Sequence, residues 1–203
     1  RRYTSVEKSE LAFQEAKAFW ARFVESEQVE TPDEAFNFMT NTWLKYQALS
    51  GRLWGRTAYY QMGGAYGFRD QLQDSQVFLP LDPEGTRKQL HLHAAHQFAD
   101  GTVYHWWHPH SEEGHPSGYS DDLLWLPFVM LNYLKETGRW ATLAEEAPFA
   151  PRPGAAGEKQ SGTLHDHAIR AIEKALSRLS KRGLPLMGEA DWNDGLSGVG
   201  RGG

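Results

Sequence analysis

The sequence contains no cysteine. That excludes a disulfide scaffold, thiolate zinc sites and a thiol nucleophile. Runs of Lys or Arg are missing too, and 21 basic side chains face 26 acidic ones, a formal net charge of −5. This balance argues against nucleic acid or an anionic membrane as the main partner. The longest apolar stretch, around Leu123 to Val129, is far too short to span a bilayer. A Walker loop, a Gly-x-Ser-x-Gly elbow and a His-Glu-x-x-His pair are all absent. Gly63 to Gly67 follows no expected βαβ strand, so it does not read as a nucleotide loop. The chain starts at Arg1 rather than Met and displays no signal-peptide pattern, so a processed or excised piece is expected.

What is plentiful is aromatic surface. Eight Trp, eight Tyr and ten Phe make up 13% of 203 residues, yet the mean hydropathy is −0.62. Aromatics in a polar chain have two common homes, a helical core and a ligand-stacking cleft. The length suits one domain with a sizeable core.

Helical periodicity dominates. Leu11, Ala12, Glu15, Phe19, Phe23 and Val24 predict a helix over 6–27. Thr31-Pro32-Asp33-Glu34 reads as the next start, with Thr31 as cap, Pro32 in the first helical position and Glu34 closing a capping box. That helix is expected to end at Gly51. Further helices are expected over 70–79, 82–98, 120–137 and 163–181, with Gly138 and Gly183 as stops. The last carries Ile169, Ile172, Leu176 and Leu179 on one apolar face. Residues 51–67, 101–119, 147–162 and 184–203 read as loops. Six helices and few strands make the class all-α.

Three clusters carry chemistry. In the Gly67 to Asp74 segment, Arg69, Asp70, Gln71, Gln73 and Asp74 crowd a loop-to-helix junction. Asp70 and Asp74 are four apart and share a helical face, which is unfavourable unless something binds them. Sugar hydroxyls or Arg69 could do so, and a solvated helix start with a local Arg–Asp pair fits as well. Asp191-Trp192-Asn193-Asp194 sets two carboxylates around an indole. Such an indole can desolvate a carboxyl and raise its pKa, as a general acid needs. A turn with Trp192 plugging the core is the alternative. His105, His108 and His110 have a metal-like spacing, but zinc needs a rigid element and a further ligand, so no metal is expected. Trp106 and Trp107 suit a sugar platform better. Ser120-Asp121-Asp122 is most simply a helix cap, with a polar contact to ligand as the other reading.

Four segments occur together and in order: Gln61 to Asp74 (QMGGAYGFRDQLQD), His105 to Pro109 (HWWHP), Ser120 to Pro127 (SDDLLWLP) and Gly183 to Gly195 (GLPLMGEADWNDG). Together they resemble the catalytic domain of glycoside hydrolase family 94, the inverting disaccharide phosphorylases and the phosphorylase-like domain of cyclic β-1,2-glucan synthases. The HWWHP form looks closest to the glucan synthase branch. The resemblance implies an (α/α)6 barrel, with residues 1–203 as one partial catalytic domain, its N-terminal half. It also implies phosphorolysis of a β-linked disaccharide or oligosaccharide to an α-sugar 1-phosphate. Phosphate serves as nucleophile and co-substrate, and no cofactor is implied. On the family's pattern Asp194 is the general acid and Trp192 lines the donor subsite. Arg69 and Asp74 bind donor hydroxyls, with Asp70, Gln73, Asp191, Trp107 and Asp122 as further substrate contacts. Arg56 is a candidate for phosphate. The exposed helix faces of a half-barrel imply a homodimer contact or the remainder of the barrel. The location implied is the cytoplasm, or the cytoplasmic side of a membrane-bound synthase. An inverting hydrolase on the same barrel, with Asp70 or Asp121 as base, and a non-catalytic glucan-binding fragment remain alternatives.

Overall fold

In the computed structural model the described residues are 3–54, 63–154 and 160–192. The chain divides into two compact units, Arg1–Gly55 and Arg56–Gly203.

The first unit pairs two helical runs. Helix α1 (Val6–Glu25) starts at Ser5, whose hydroxyl accepts from the Lys8 N–H. The second run begins with α2 (Glu34–Phe38), passes through π-helical Met39–Trp43 and α3 (Leu44–Gln47), and ends in π-helical Ala48–Trp54. Two boundaries differ from expectation. Asp33, not Thr31, caps α2, accepting from Phe36 N–H at 3.1 Å. The Asn37 side chain holds Thr31 outside the helix, by accepting from its N–H at 2.9 Å and donating to its carbonyl at 2.9 Å. Gly51 lies inside the π-helical run rather than ending it. Lys45 is buried and donates to the carbonyls of Val24, Ser26 and Glu27. A cation on the carbonyls at and just past the C-terminal end of α1 satisfies groups left open there and suits the helix dipole. Phe19, Trp20, Phe23, Tyr46 and Trp54 form the unit's aromatic contact.

The second unit is built on four helices, α4 (Phe68–Ser75), α6 (Pro83–Ala94), α7 (Trp125–Thr137) and α8 (Leu164–Leu176), with a short α5 (Phe78–Leu81) between the first two. Helices α4, α6 and α7 pack on one another, and α8 packs on α6 and α7. Phe68, Leu72, Leu90, Leu126, Val129, Tyr133 and Leu164 are fully buried between them. Pro83 takes the first helical position of α6. That helix ends at Ala94, because the chain then pairs Gln97 with Val103 and turns back. Gly138 stops α7 in a left-handed conformation (φ 64°), and Thr163 caps α8 in a reciprocal capping box with Asp166.

Three expected loops contain strands. Residues 104–116 form a hairpin of β2 (Tyr104–Trp107) and β3 (Gly114–Pro116), and β1 (Tyr66–Gly67) pairs with β2. The Pro/Gly-rich 147–162 stretch is not simply an exposed excursion. Its ends form β4 (Glu146–Pro148) and β5 (Ser161–Thr163), with Ala147 and Phe149 buried.

The apolar face expected of α8 is reversed. Leu164, His167, Ala168 and Ala171 point inward, while Ile169 and Ile172 are each 39% exposed. The exposed pair lines an apolar groove of about 400 Å³ with Pro127, Phe128 and Leu131 of α7. No helix among the described residues is long and apolar enough to cross a membrane.

Candidate active site

The start of α4, the turn at 117–122 and the segment 188–192 come together in the second unit. Arg69 sits in the first turn of α4, 6% exposed. Its Nη1 donates to both carboxylate oxygens of Asp121, at 3.2 and 3.3 Å, and to the Asp191 carbonyl at 3.1 Å. It also lies 3.9 Å from Asp122 Oδ1, and the guanidinium stands 5.9 Å from the Tyr119 ring centre. One cation therefore ties together segments up to 122 residues apart in sequence.

Ser120-Asp121-Asp122 does not cap the following helix. Helix α7 is preceded by a single 3₁₀ turn, Asp122–Leu124, with no side-chain cap bond. The two carboxylates are turned to other work. Asp121 accepts from Arg69 and from Trp125 Nε1 at 3.1 Å. Asp122 is fully buried, and its Oδ2 accepts from Ser117 Oγ at 2.5 Å and pairs with His105 Nδ1 at 2.7 Å. A buried carboxylate without such partners would be costly.

The segment leading to Asp194 is fastened to the same turn. Ser120 N–H donates to the Ala190 carbonyl at 2.9 Å, and Glu189 N–H to the Gly118 carbonyl at 3.1 Å. Gly188 (φ 65°) lies so close that a Cβ there would meet the Gly118 oxygen at 2.5 Å. Trp192 is 59% exposed, and its Nε1 reaches Gln73 Oε1 at 3.4 Å. The exposed indole, the exposed Gln73 and the half-buried Asp70 and Asp74 of α4 all belong to this junction.

The expected site residues thus fall into three groups. Arg69, Gln73, Asp121, Asp122, Asp191 and Trp192 are linked by direct contacts. Asp70 and Asp74 lie on the same helix start, half-buried. Arg56, Asn193 and Asp194 lie outside the described residues. Two roles need correction. Trp107 is fully buried against His96, with ring centres 3.9 Å apart, so it is a core side chain and not a sugar platform. Trp106, its strand neighbour, is the exposed indole, at 38%. Asp122, with no exposed surface, supports neighbouring side chains rather than meeting a ligand.

Among the described residues no three His, Asp or Glu side chains converge as metal ligands. His105 is turned to Asp122, and His108 lies edge-on to Trp106. Ser117 and Tyr119 were not anticipated. Their only sequence signal is the Gly118 between them, at the point where two backbones nearly touch.

Comparisons with known proteins identify the family. The sequence profile of the glycosyl hydrolase 94 superfamily, catalytic domain, matches residues 19–203. The chain is 43% identical over 203 residues to the cyclic β-(1,2)-glucan synthase NdvB of Rhizobium meliloti (strain 1021), covering 95% of this chain and 7% of that protein. It is 32% identical over 179 residues to solabiose phosphorylase of Paenibacillus borealis, 86% of this chain and 21% of that one. Against N,N'-diacetylchitobiose phosphorylase of Vibrio furnissii the identity is 27% over 224 residues, 97% of this chain and 27% of that one. The chain therefore spans about a quarter or less of the length of these relatives.

Proposed function

This chain belongs to the glycosyl hydrolase 94 superfamily, and on that premise we propose that it carries the donor side of an inverting phosphorylase site. The reading rests above all on one observation. Arg69, anchored to Asp121 and to the Asp191 backbone, holds the segment entering Trp192-Asn193-Asp194 against the polar start of α4. Relatives whose names identify them as phosphorylases span the same region.

In the proposed reaction a β-linked glucoside lies in the junction between α4 and Trp192. Asp70, Gln73 and Asp74 offer acceptors to sugar hydroxyls, and the exposed Trp192 indole offers an apolar face to the pyranose ring. Asp194 donates its proton to the glycosidic oxygen as the bond from that oxygen to the anomeric carbon breaks. A phosphate oxygen forms the new bond from the opposite face, giving an α-sugar 1-phosphate with inversion. Phosphate is already a nucleophile, so no second carboxylate has to activate water. Arg56 is a proposed phosphate contact, inorganic phosphate is the co-substrate, and no cofactor is invoked. The barrel of which this chain would form the N-terminal half is the (α/α)6 toroid, and the groove between α7 and α8 is a proposed seat for its remainder or for a second copy.

The bonding of Asp121 disfavours it as the base of a hydrolase. Both its oxygens accept from Arg69, and one also accepts from Trp125. The test is phosphate-dependent release of sugar 1-phosphate from a panel of β-linked disaccharides. Asp194→Asn is expected to lower that rate by a factor of about 100 to 10,000. Release of free sugar without phosphate would favour the hydrolase, and saturable binding with no turnover would favour a glucan-binding fragment.

A further inference from the structure

The pairing of β2 with β3 slips by one residue at His105. Tyr104 lies opposite Pro116 and Trp106 opposite His115, so two steps on one strand face one step on the other. His105 is the extra residue of a β-bulge. Bulges re-aim a side chain out of the strand's alternation, and they gather beside active sites. Here the bulge turns the imidazole onto Asp122, with Nδ1 2.7 Å from Oδ2.

The acceptor fixes the chemistry of that contact. A buried carboxylate engaged by Arg69 and Ser117 can only accept, so His105 Nδ1 carries the hydrogen. Asp122 Oδ2 then takes two hydrogen bonds, from His105 and Ser117, while Oδ1 faces Arg69 at 3.9 Å. Ser117 Oγ in turn accepts the Tyr119 N–H at 3.0 Å. The Tyr119 ring lies between His105, 4.2 Å away edge-on, and the Arg69 guanidinium, 5.9 Å away. His105 thus touches two of the groups around Arg69, Asp122 and Tyr119.

We propose that His105 is a positioning residue for Arg69, acting through its Nδ1–H bond to Asp122. This rests on the phosphorylase reading only for the part Arg69 plays in donor binding. With the bond in place the Asp122 carboxylate has one orientation, and Arg69 stays aimed at Asp121 and the Asp191 carbonyl. Without it the carboxylate rotates toward Arg69 and draws the guanidinium from that aim.

The experiment compares the wild type with His105→Asn and His105→Ala. An Asn amide can reproduce the Nδ1 donor but not Nε2. His105→Ala is expected to lower kcat/KM for the glucoside about ten- to a hundredfold, the worth of one hydrogen bond to a charged group, chiefly through KM. His105→Asn is expected to restore most of it. Equal loss in both variants overturns the proposal, because the ring or Nε2 would then be what matters, and so does full activity in His105→Ala. A second readout needs neither turnover nor the Ala variant. Nitrogen-15 spectra of the wild type should place the His105 proton on Nδ1, and the Arg69 side-chain signals should be kept in His105→Asn. A proton on Nε2 alone, or Arg69 signals lost in His105→Asn, overturns it. Absence of phosphate-dependent turnover in the wild type overturns the phosphorylase reading instead and leaves this spectroscopic test standing.

Discussion

Arg69 donates to both carboxylate oxygens of Asp121 from a single guanidinium nitrogen, at 3.2 and 3.3 Å. The same nitrogen reaches the Asp191 carbonyl at 3.1 Å. The start of α4, the turn at 117–122 and the segment before Asp194 are joined at this one atom. Removing the cation leaves a fully buried Asp122 and a largely buried Asp121 with less countercharge. Arg69→Ala is expected to cost about 3–5 kcal/mol, the typical result of breaking a buried pair from one side. Arg69→Lys keeps the charge but not the planar set of donors, and should fall between the two. Urea unfolding of the three proteins measures both values.

The two glycines of the 118/188 contact are expected to behave differently. A Cβ on Gly118 would meet the Glu189 carboxylate at 2.4 Å, and that flexible group can swing away. A Cβ on Gly188 would meet the Gly118 backbone oxygen at 2.5 Å, from a residue with φ of 65°. Gly188→Ala should therefore lower stability more than Gly118→Ala does and, on the proposed function, glucoside affinity too. Affinity titrations and thermal melts of both variants check the order, and the reverse order would contradict this account of the contact.

Adjacent tryptophans should also separate. Trp107→Ala opens a cavity in the core and is expected to cost about 3–5 kcal/mol. Trp106→Ala removes an exposed ring and should cost less than about 1 kcal/mol. Denaturation midpoints compared at equal m-values decide the point.

His167 gives a pH signature. Burial pushes its imidazole below the ordinary histidine range, and the hydrogen bond to the Ala147 carbonyl offsets this only in part. Between that depressed value and about 6.5 the unfolded chain binds a proton more readily than the folded one. Stability is thus complete above about pH 6.5 and falls as the pH drops toward the folded value. Carboxylates such as Glu145, held below their usual range by desolvation-opposing bonds from His91 and Arg87, act only at lower pH. Unfolding free energies at about pH 7.5 and about pH 5.5 should differ, and His167→Gln should flatten the difference.

Much of the helix layout was legible because it rests on local chemistry. Pro83 opens α6, Gly138 closes α7 and Thr163 caps α8, each through contacts within a few residues. The junction of Arg69, Asp191 and Trp192 was anticipated as a set of polar residues, since their types and order survive in the chain. Their partners were not. Asp121 and Asp122 read as caps because their true partners are not local: Arg69 lies 52 residues from Asp121 and His105 lies 17 from Asp122 in sequence. Trp107 read as a platform because the parity of β2 depends on a bulge that exists only when β3 pairs with it. The apolar stripe of α8 read as core, yet Leu164, Ala168 and Ala171 occupy the core instead.

By itself, then, the sequence determined the helical class, the start of α6, the stop of α7 and the family, because these depend on residue type and spacing. Tertiary structure alone decided which carboxylates face Arg69, which tryptophan is buried and where His105 points. Those outcomes depend on long-range pairing and on the register of two short strands, which composition and periodicity do not encode.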